Sequence, residues 1–340
     1  MDVVFTILLV SNSIFFLIVI YNLLFAPRVK LFSLENQSEK ISVLIPARDE
    51  EKNITTLLNN LINQSYKNLE IIVLDDNSTD NTQKIVKSFS VLDNRIHLIN
   101  GEKLQKGWLG KNFACHQLSQ KANGDIFLFL DADVSINENS IESVLKIFKE
   151  KKVNMLSIFP TQIIPNISTY LITPMMNWIL LTFLPLLKVY TSTNKSFVAA
   201  NGQFIMIDKE TYLKIGGHVS VKNKIVEDME LARKVKEGKF KIITLLGNNF
   251  VKCKMYSKLD EAFNGFSKNF YAGFNISTVM FSLLLIFIQS VFMLPTILVL
   301  FEIKFITIVF MIIISRIIIS HLSNQNIFLN VLLHPFQMVA

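Results

Sequence analysis

Two aspartates carry the strongest chemical signal in the chain. Asp131-Ala132-Asp133 closes the run Asp125-Ile126-Phe127-Leu128-Phe129-Leu130, which has the apolar character of a buried strand. Open α/β sheets bind ligands beyond the carboxyl ends of their strands. Carboxylates one residue apart repel unless a cation lies between them, and hard divalent ions take oxygen ligands. A metal held there can grip the pyrophosphate of a nucleotide. Solvated aspartate pairs are also common in turns, so the surrounding pattern has to decide.

That pattern is an alternation of strands and helices. Ile41 to Pro46 predicts a first strand, and Glu50 to Asn63 a helix with Ile54, Leu57, Leu58, Leu61 and Ile62 at helical spacing. Leu69 to Leu74 predicts a second strand, ending in the polar cluster Asp75 to Asp80, which precedes a helix from about Thr82 to Phe89. Arg95 to Ile99 reads as a short strand, Asn112 to Lys121 as a helix and Asp125 to Leu130 as a fourth strand. This spacing implies a mostly parallel, nucleotide-binding type of sheet. Further on, Val198 to Ile207 predicts a strand around Asn201-Gly202-Gln203. Tyr212 to Val219 contains a Gly216-Gly217-His218 turn, and Glu227 to Glu237 predicts a helix that opens with two acids.

The 340 residues are 51% hydrophobic with mean hydropathy +0.40, too apolar for an ordinary soluble enzyme. The apolarity is concentrated. Val3 to Ala26 carries no charge and is long enough to cross a hydrocarbon core of roughly 30 Å as a helix. Asn275 to Phe301 is equally uncharged, and Phe305 to Ser320 is interrupted only by Arg316. No basic region precedes the first run and no small-residue cleavage site follows it, which argues for an anchor over a cleaved signal. Arg28 and Lys30 follow that run, so the positive-inside rule puts the next domain in the cytoplasm and makes this a multi-pass cell-membrane protein. Pro165 to Leu187 is uncharged but holds three prolines, which favours helices at the membrane surface over a span. Cys115 and Cys253 give no disulfide framework. The net charge of +7 suits an anionic inner leaflet; the lysines are dispersed and no nucleic-acid module is recognisable, so no nucleic-acid partner is expected.

Taken in order, Ile45-Pro46-Ala47-Arg48-Asp49-Glu50-Glu51, Asp75 to Asp80, Asp131-Ala132-Asp133 and Glu227-Asp228 resemble family 2 glycosyltransferases of the GT-A fold over about residues 41–270. The resemblance implies a Rossmann-like α/β catalytic domain, a nucleotide-diphosphate sugar donor (a UDP-sugar first of all), transfer with inversion, and Mg2+ or Mn2+ as cofactor. It assigns Asp133 and Asp131 to the metal and Asp228 to the catalytic base. Pro46, Ala47, Arg48, Glu50, Asp76, Lys111 and Ala132, with the two metal aspartates, fall to the nucleotide-sugar. An attacking hydroxyl must lose its proton, and a positioned carboxylate can take it. Asp228 also suits a first helical turn, where acids complement the dipole. Lys106 to Ala114 is similar to a stretch in membrane-bound members acting on isoprenoids, carotenoid-type and hopanoid-associated, which points to a lipid acceptor in the bilayer, a hydroxyl on an isoprenoid (carotenoid-type) or a glycerolipid. On the acceptor side it places Trp108, Glu227, Phe266 and Lys268. His218 after two glycines is a further family-like element, at a type of position where histidines are commonly structural.

Phe263 to Phe270 stands where processive polysaccharide synthases carry a Gln-x-x-Arg-Trp motif, and has no Arg-Trp pair, so one sugar per acceptor is expected. The expected organisation is an amino-terminal membrane helix at 1–27, a GT-A domain at 36–270 with interfacial helices at about 165–190, two membrane helices at 275–322 and a tail at 323–340. A processive exopolysaccharide synthase and a non-catalytic GT-A scaffold in the membrane are the competing readings. A transporter would not need the large polar domain with its alternating pattern.

Overall fold

The computed structural model describes residues 2–34, 38–274 and 276–339; the expected domain start at 36 and the expected start of the second apolar segment at 275 lie outside them. The chain divides into two compact units, one of residues 27–161 and 189–253, the other of residues 1–26, 162–188 and 254–340.

The first unit is α/β. Its strands are β1 (Ile41–Ala47), β2 (Leu69–Asp75), β3 (Ile96–Asn100), β4 (Ile126–Leu130), β5 (Val134–Ile136), β6 (Met155–Phe159), β7 (Thr161–Gln162, whose last residue falls in the other unit), β8 (Phe204–Asp208), β9 (Ile242–Leu246) and β10 (Val251–Cys253). Seven form a sheet in the order β3-β2-β1-β4-β8-β6-β9. The strands β3, β2, β1 and β4 run parallel, β8 is antiparallel to both its neighbours, and β6 and β9 are parallel. Every residue of β2, β4 and β9 is buried, which is why those segments read as continuous apolar runs instead of alternating ones. The chain reverses its direction of strand addition between β1 and β4, and the cleft beyond their carboxyl ends is the topological switch point.

Helices supply the crossovers. Ile54–Ile62 buries Ile54, Leu57, Leu58 and Leu61, the stripe its sequence spacing predicts. Gly110–Lys121, Ser140–Glu150 and Glu227–Glu237 complete the set that frames the switch point. The expected strand at 198–207 is confined to β8, because Gly202 and Gln203 form a turn ahead of it. Beyond it, residues 209–214 form a helix and Gly217–Val221 a 3-10 turn.

The second unit is helical. Three of its helices are long and apolar enough to cross a membrane: Asp2–Phe25, Thr278–Leu298 and Ile303–Leu322. Asn22 inside the first donates to the carbonyls of Leu181 and Leu184 and accepts from the Leu186 amide, so a polar side chain is satisfied among apolar helices. Arg316 is met in the same way. Its guanidinium lies 5.3 Å over the Trp178 ring, donates to His334 Nδ1 at 2.8 Å and donates to Gln337. Residues 162–188, the short helix Met175–Phe183 included, and 254–270 fall in this unit. The expected tail, 323–340, follows Leu322. It folds into helices Ile327–Leu332 and His334–Val339, held by Asn330 and Gln337.

Candidate active site

The site is assembled at the carboxyl ends of β1, β2 and β4. Pro46 and Ala47 end β1, opposite Leu74 and Asp75 of β2. Arg48 follows, with Nη1 3.9 Å from Asp76 Oδ2, and the Asp76 amide donates to the Ala47 carbonyl at 2.8 Å. Two left-handed residues, Asp49 and Asn77, turn these loops towards each other. Asp49 Oδ1 accepts from the Thr79 amide at 2.7 Å, and the Glu50 amide donates to Thr82 Oγ1 at 2.8 Å. Asp49, and Glu51 whose Oε2 accepts from the Asn81 amide at 3.1 Å, are staples between the two loops. Glu50 turns its carboxylate inward to Asn53; burial, then the nearby Asp131 charge, raise its pKa above the ordinary value.

Asp131 and Asp133 follow β4. Asp133 is pushed up to about 7 by burial and then by the adjacent Asp131. One of its oxygens, Oδ1, is buried without any hydrogen-bond partner. A buried, unpaired carboxylate oxygen is costly, and a cation is the ligand that removes the cost. Among the described residues no three His, Cys, Asp or Glu side chains cluster as a complete metal cage. The donors present fit an oxygen-preferring ion that keeps waters and takes further oxygens from a substrate diphosphate.

Lys111 lies in the first turn of helix Gly110–Lys121. Its Nζ is 2.7 Å from Asp131 Oδ2 and 3.5 Å from Glu227 Oε1. Burial works against its charge, but those two carboxylates outweigh it and hold the ammonium protonated. The side chain remains 39% exposed, so it is reachable from the cleft. A β-carbon on Gly110 would stand 3.6 Å from Asp76 Oδ2, so the start of this helix meets Asp76 on one side and Asp131 on the other. Helix amino termini favour anions, and the lysine adds a point charge.

Glu227 and Asp228 open helix Glu227–Glu237. Asp228 Oδ2 accepts from the Gly202 amide and Oδ1 from the Met229 amide, both at 2.7 Å. Burial raises its pKa despite those bonds, and burial likewise lifts Glu227 to about 7 against the pull of Lys111. Gly202 is the keystone. A β-carbon there would stand 3.1 Å from Lys111 Nζ, 3.2 Å from Glu227 Oε1 and 3.6 Å from Asp228 Oδ2.

The structure thus brings Arg48, Glu50, Asp76, Lys111, Asp131, Ala132, Asp133, Glu227 and Asp228 to one edge of the sheet, beyond Pro46 and Ala47. Trp108 sits next to it, but one face of its indole stacks on His116 at 5.1 Å, leaving a single face for a ligand. Phe266 and Lys268 lie on helix Leu259–Phe274 of the helical unit, where Phe266 stacks on Phe270. His218 is a core residue, bonded through Nδ1 to Tyr212 at 2.8 Å and packed on Phe129. Sequence reasoning missed Gly202, Gln203 and Cys253 as site residues. Nothing in their local spacing marks them; strand register brings them in.

Residues 42–209 match the profile of Glycosyl transferase family 2. The chain is 29% identical over 222 residues to 4,4'-diaponeurosporenoate glycosyltransferase of Staphylococcus haemolyticus, covering 64% of this chain and 57% of that protein. It is 26% identical over 237 residues to the protein of the same name from Staphylococcus aureus strain USA300, covering 68% and 60%. The match therefore spans less than two thirds of these curated relatives. In structure the chain is similar to the mannosyltransferase PcManGT from Pyrobaculum calidifontis, solved with GDP-Man and Mn2+. The TM-score is 0.57 and the identity 16%, over 82% of this chain and 76% of that one.

Proposed function

The chain carries a glycosyl transferase family 2 domain with the GT-A fold, and from that premise we propose that it is a membrane-anchored enzyme moving one sugar from a nucleotide-diphosphate sugar to a carotenoid-type lipid. The observation that carries the reading is the convergence of Asp131, Asp133, Lys111, Glu227 and Asp228 around Gly202 at the switch point. The acceptor class rests on the names of the Staphylococcus relatives. UDP is the proposed nucleotide. Anchoring rests on the three apolar helices and on the surface of the first. Val3, Ile7, Val10, Ile14, Leu17 and Leu24 are exposed along it at helical spacing, a stripe that water would penalise and acyl chains would not. Arg28 and Lys30 after that helix support a cytoplasmic catalytic domain, and the three apolar helices support a multi-pass protein.

Each residue has a task in this scheme. Asp76, with Arg48 beside it, reads the base; the loop of Pro46 to Glu50 lies along the nucleoside. Lys111 and the start of its helix take the diphosphate oxygens. Asp133 and Asp131 would hold a divalent ion, which when bound would supply positive charge against the leaving diphosphate. Asp228, steadied by two backbone amides, accepts the proton of an attacking hydroxyl, and its raised pKa makes it a better base near neutral pH. The names of the relatives denote a carboxylate acceptor, which arrives already ionised, so the pH profile distinguishes the two nucleophiles. The decisive assay incubates the detergent-solubilised full chain with labelled UDP-sugars, Mn2+ and a carotenoid carrying a carboxylate or a hydroxyl, and resolves products by thin-layer chromatography. A single-sugar product lost on Asp228→Asn supports the scheme for a hydroxyl acceptor. A ladder of products, or no transfer from any nucleotide-sugar, overturns it.

A further inference from the structure

Two strand pairings flank the aspartates from opposite sides. β8 runs antiparallel to β4 with Phe204 opposite Leu130, so the next residue out, Gln203, stands opposite Asp131; the Asp131 amide donates to its carbonyl at 3.2 Å. β10 runs antiparallel to β5 with Cys253 opposite Val134, which puts the thiol beside Asp133. Gln203 and Cys253 come from segments about 50 residues apart, yet both side chains converge on one carboxylate. Cys253 Sγ is 3.2 Å from Asp133 Oδ2, Gln203 Nε2 is 3.4 Å from the same oxygen, and the Gln203 amide also contacts Sγ.

The pairing is incomplete in a telling way. Gln203 is only 4% exposed and its Oε1 has no partner; the unpaired Oδ1 of Asp133 belongs to the same cluster. Both orphaned acceptors belong to side chains that meet at Asp133 Oδ2, beside a fully buried sulfur. Each unpaired buried oxygen costs free energy, and no protein donor among the described residues relieves either. A cation would relieve both.

The geometry points to Gln203 Oε1 and Cys253 Sγ as donors that complete the cation site begun by Asp133, giving a mixed oxygen–sulfur set that favours a softer divalent ion, Mn2+ over Mg2+. This rests on the proposed function only in sharing Asp133. It adds one residue that strengthens the hold, Gln203, and one that sets which ion is held, Cys253. Carboxylate and amide oxygens accept either ion, whereas a thiolate binds Mg2+ poorly and later transition ions well. Coordination through Sγ displaces the thiol proton to solvent, one per ion bound.

The test uses the full chain in detergent micelles and Co2+ alone as the probe, with no sugar substrate. The wild type and Cys115→Ser should develop a near-ultraviolet sulfur-to-cobalt charge-transfer band, and Cys253→Ser should not. In competition for the Co2+ signal, Cys253→Ser should lower the preference for Mn2+ over Mg2+ by about tenfold, whereas Gln203→Leu should weaken both ions by about tenfold and leave their ratio unchanged. If Cys253→Ser fails to fold, cadmium NMR on the wild type answers the same question, since a sulfur ligand shifts the resonance far from the all-oxygen range. No band in the wild type, an equal band in Cys253→Ser, or an all-oxygen cadmium signal overturns the inference. Transfer activity with an all-oxygen signal would sink this inference alone; a sulfur signal without any transfer would sink the proposed function alone.

Discussion

Gly202→Ala tests whether the proposed catalytic cluster must be held to within a fraction of an ångström. The backbone amide of residue 202 stays in place, so its bond to Asp228 at 2.7 Å should survive. The new methyl would sit 3.1 Å from Lys111 Nζ and 3.2 Å from Glu227 Oε1, whereas comfortable contacts are about 3.5–4.0 Å. Both tips must therefore retreat by about 0.5 Å. For Lys111 that lengthens the 2.7 Å pair with Asp131 to about 3.2 Å. At an effective dielectric of about 20 the Coulomb attraction weakens by about 1 kcal/mol. With the lysine 39% exposed, solvent screening brings this to about 0.5 kcal/mol, too little to unfold the protein.

The catalytic effect should be larger than the stability effect. A displacement of about 1 Å in positioned groups can cost about a hundredfold, so half that distance should cost about tenfold in kcat. The assay pairs steady-state donor consumption with a thermal melt. Gly273→Ala is the control, because a β-carbon there meets nothing within 4 Å. A tenfold loss in kcat with a melting point within about 2 °C of wild type is expected. A kcat within twofold of wild type would refute the idea that the ammonium and the Glu227 carboxylate need their present positions. A collapse of the melting point would show instead that Gly202 serves the fold.

The other expectations follow from single features. Asp228→Asn should lower transfer to a hydroxyl acceptor by about 10²–10⁴-fold and abolish the rise of rate with pH; a carboxylate acceptor should show neither limb, as initial rates across pH will reveal. Asp133 and Glu227 have folded pKa values raised to about 7, so the stability they contribute is full below the unfolded value near 4 and lost as pH rises through 7. The ion-free protein should accordingly melt lower at alkaline pH, and Mn2+ should raise the melting point more there than in acid; an equal shift at both would show that these carboxylates do not compete with the ion for protons. Gly217→Ala forces a side chain onto a residue at φ +47° and puts its carbon 2.6 Å from the Tyr212 ring, for an expected loss of about 2–4 kcal/mol seen as a lower melting temperature. Lys236→Met strips the donor from the carbonyls of Ser192, Asn194 and Phe197, and should loosen the segment before Gly202, visible as faster amide exchange over 192–200.

The parallel half of the fold was legible because its physics is local. The runs in β1, β2 and β4 are buried on both faces and bounded by polar loops, and the helix at Ile54–Ile62 repeats its apolar stripe without interruption. The strands β5, β7 and β10 escaped notice because they have two or three residues each and owe their form to pairing. The two aspartates, Asp76 and Asp228 were legible for a similar reason: each sits where a strand or helix ends, and a carboxylate at such an edge has few structural duties.

The residues that complete the site obey a different rule. Gly202 looks like a turn glycine, Gln203 like a polar residue beside a strand, and Cys253 like one of two scattered thiols. Each acquires meaning only through register. One residue of slip in the β4–β8 pairing would turn Gln203 to the other face of the sheet, and the same slip between β5 and β10 would carry Cys253 away from Asp133. Register is fixed by the apolar faces, with Phe204 and Met206 on one core and Val251 and Cys253 fully buried. The packing of residues that do no chemistry therefore sets which side chains can reach the proposed cation site. A conservative core change that shifts either pairing, such as overpacking at Met206 or Val251, should alter ion preference before it alters the melting point.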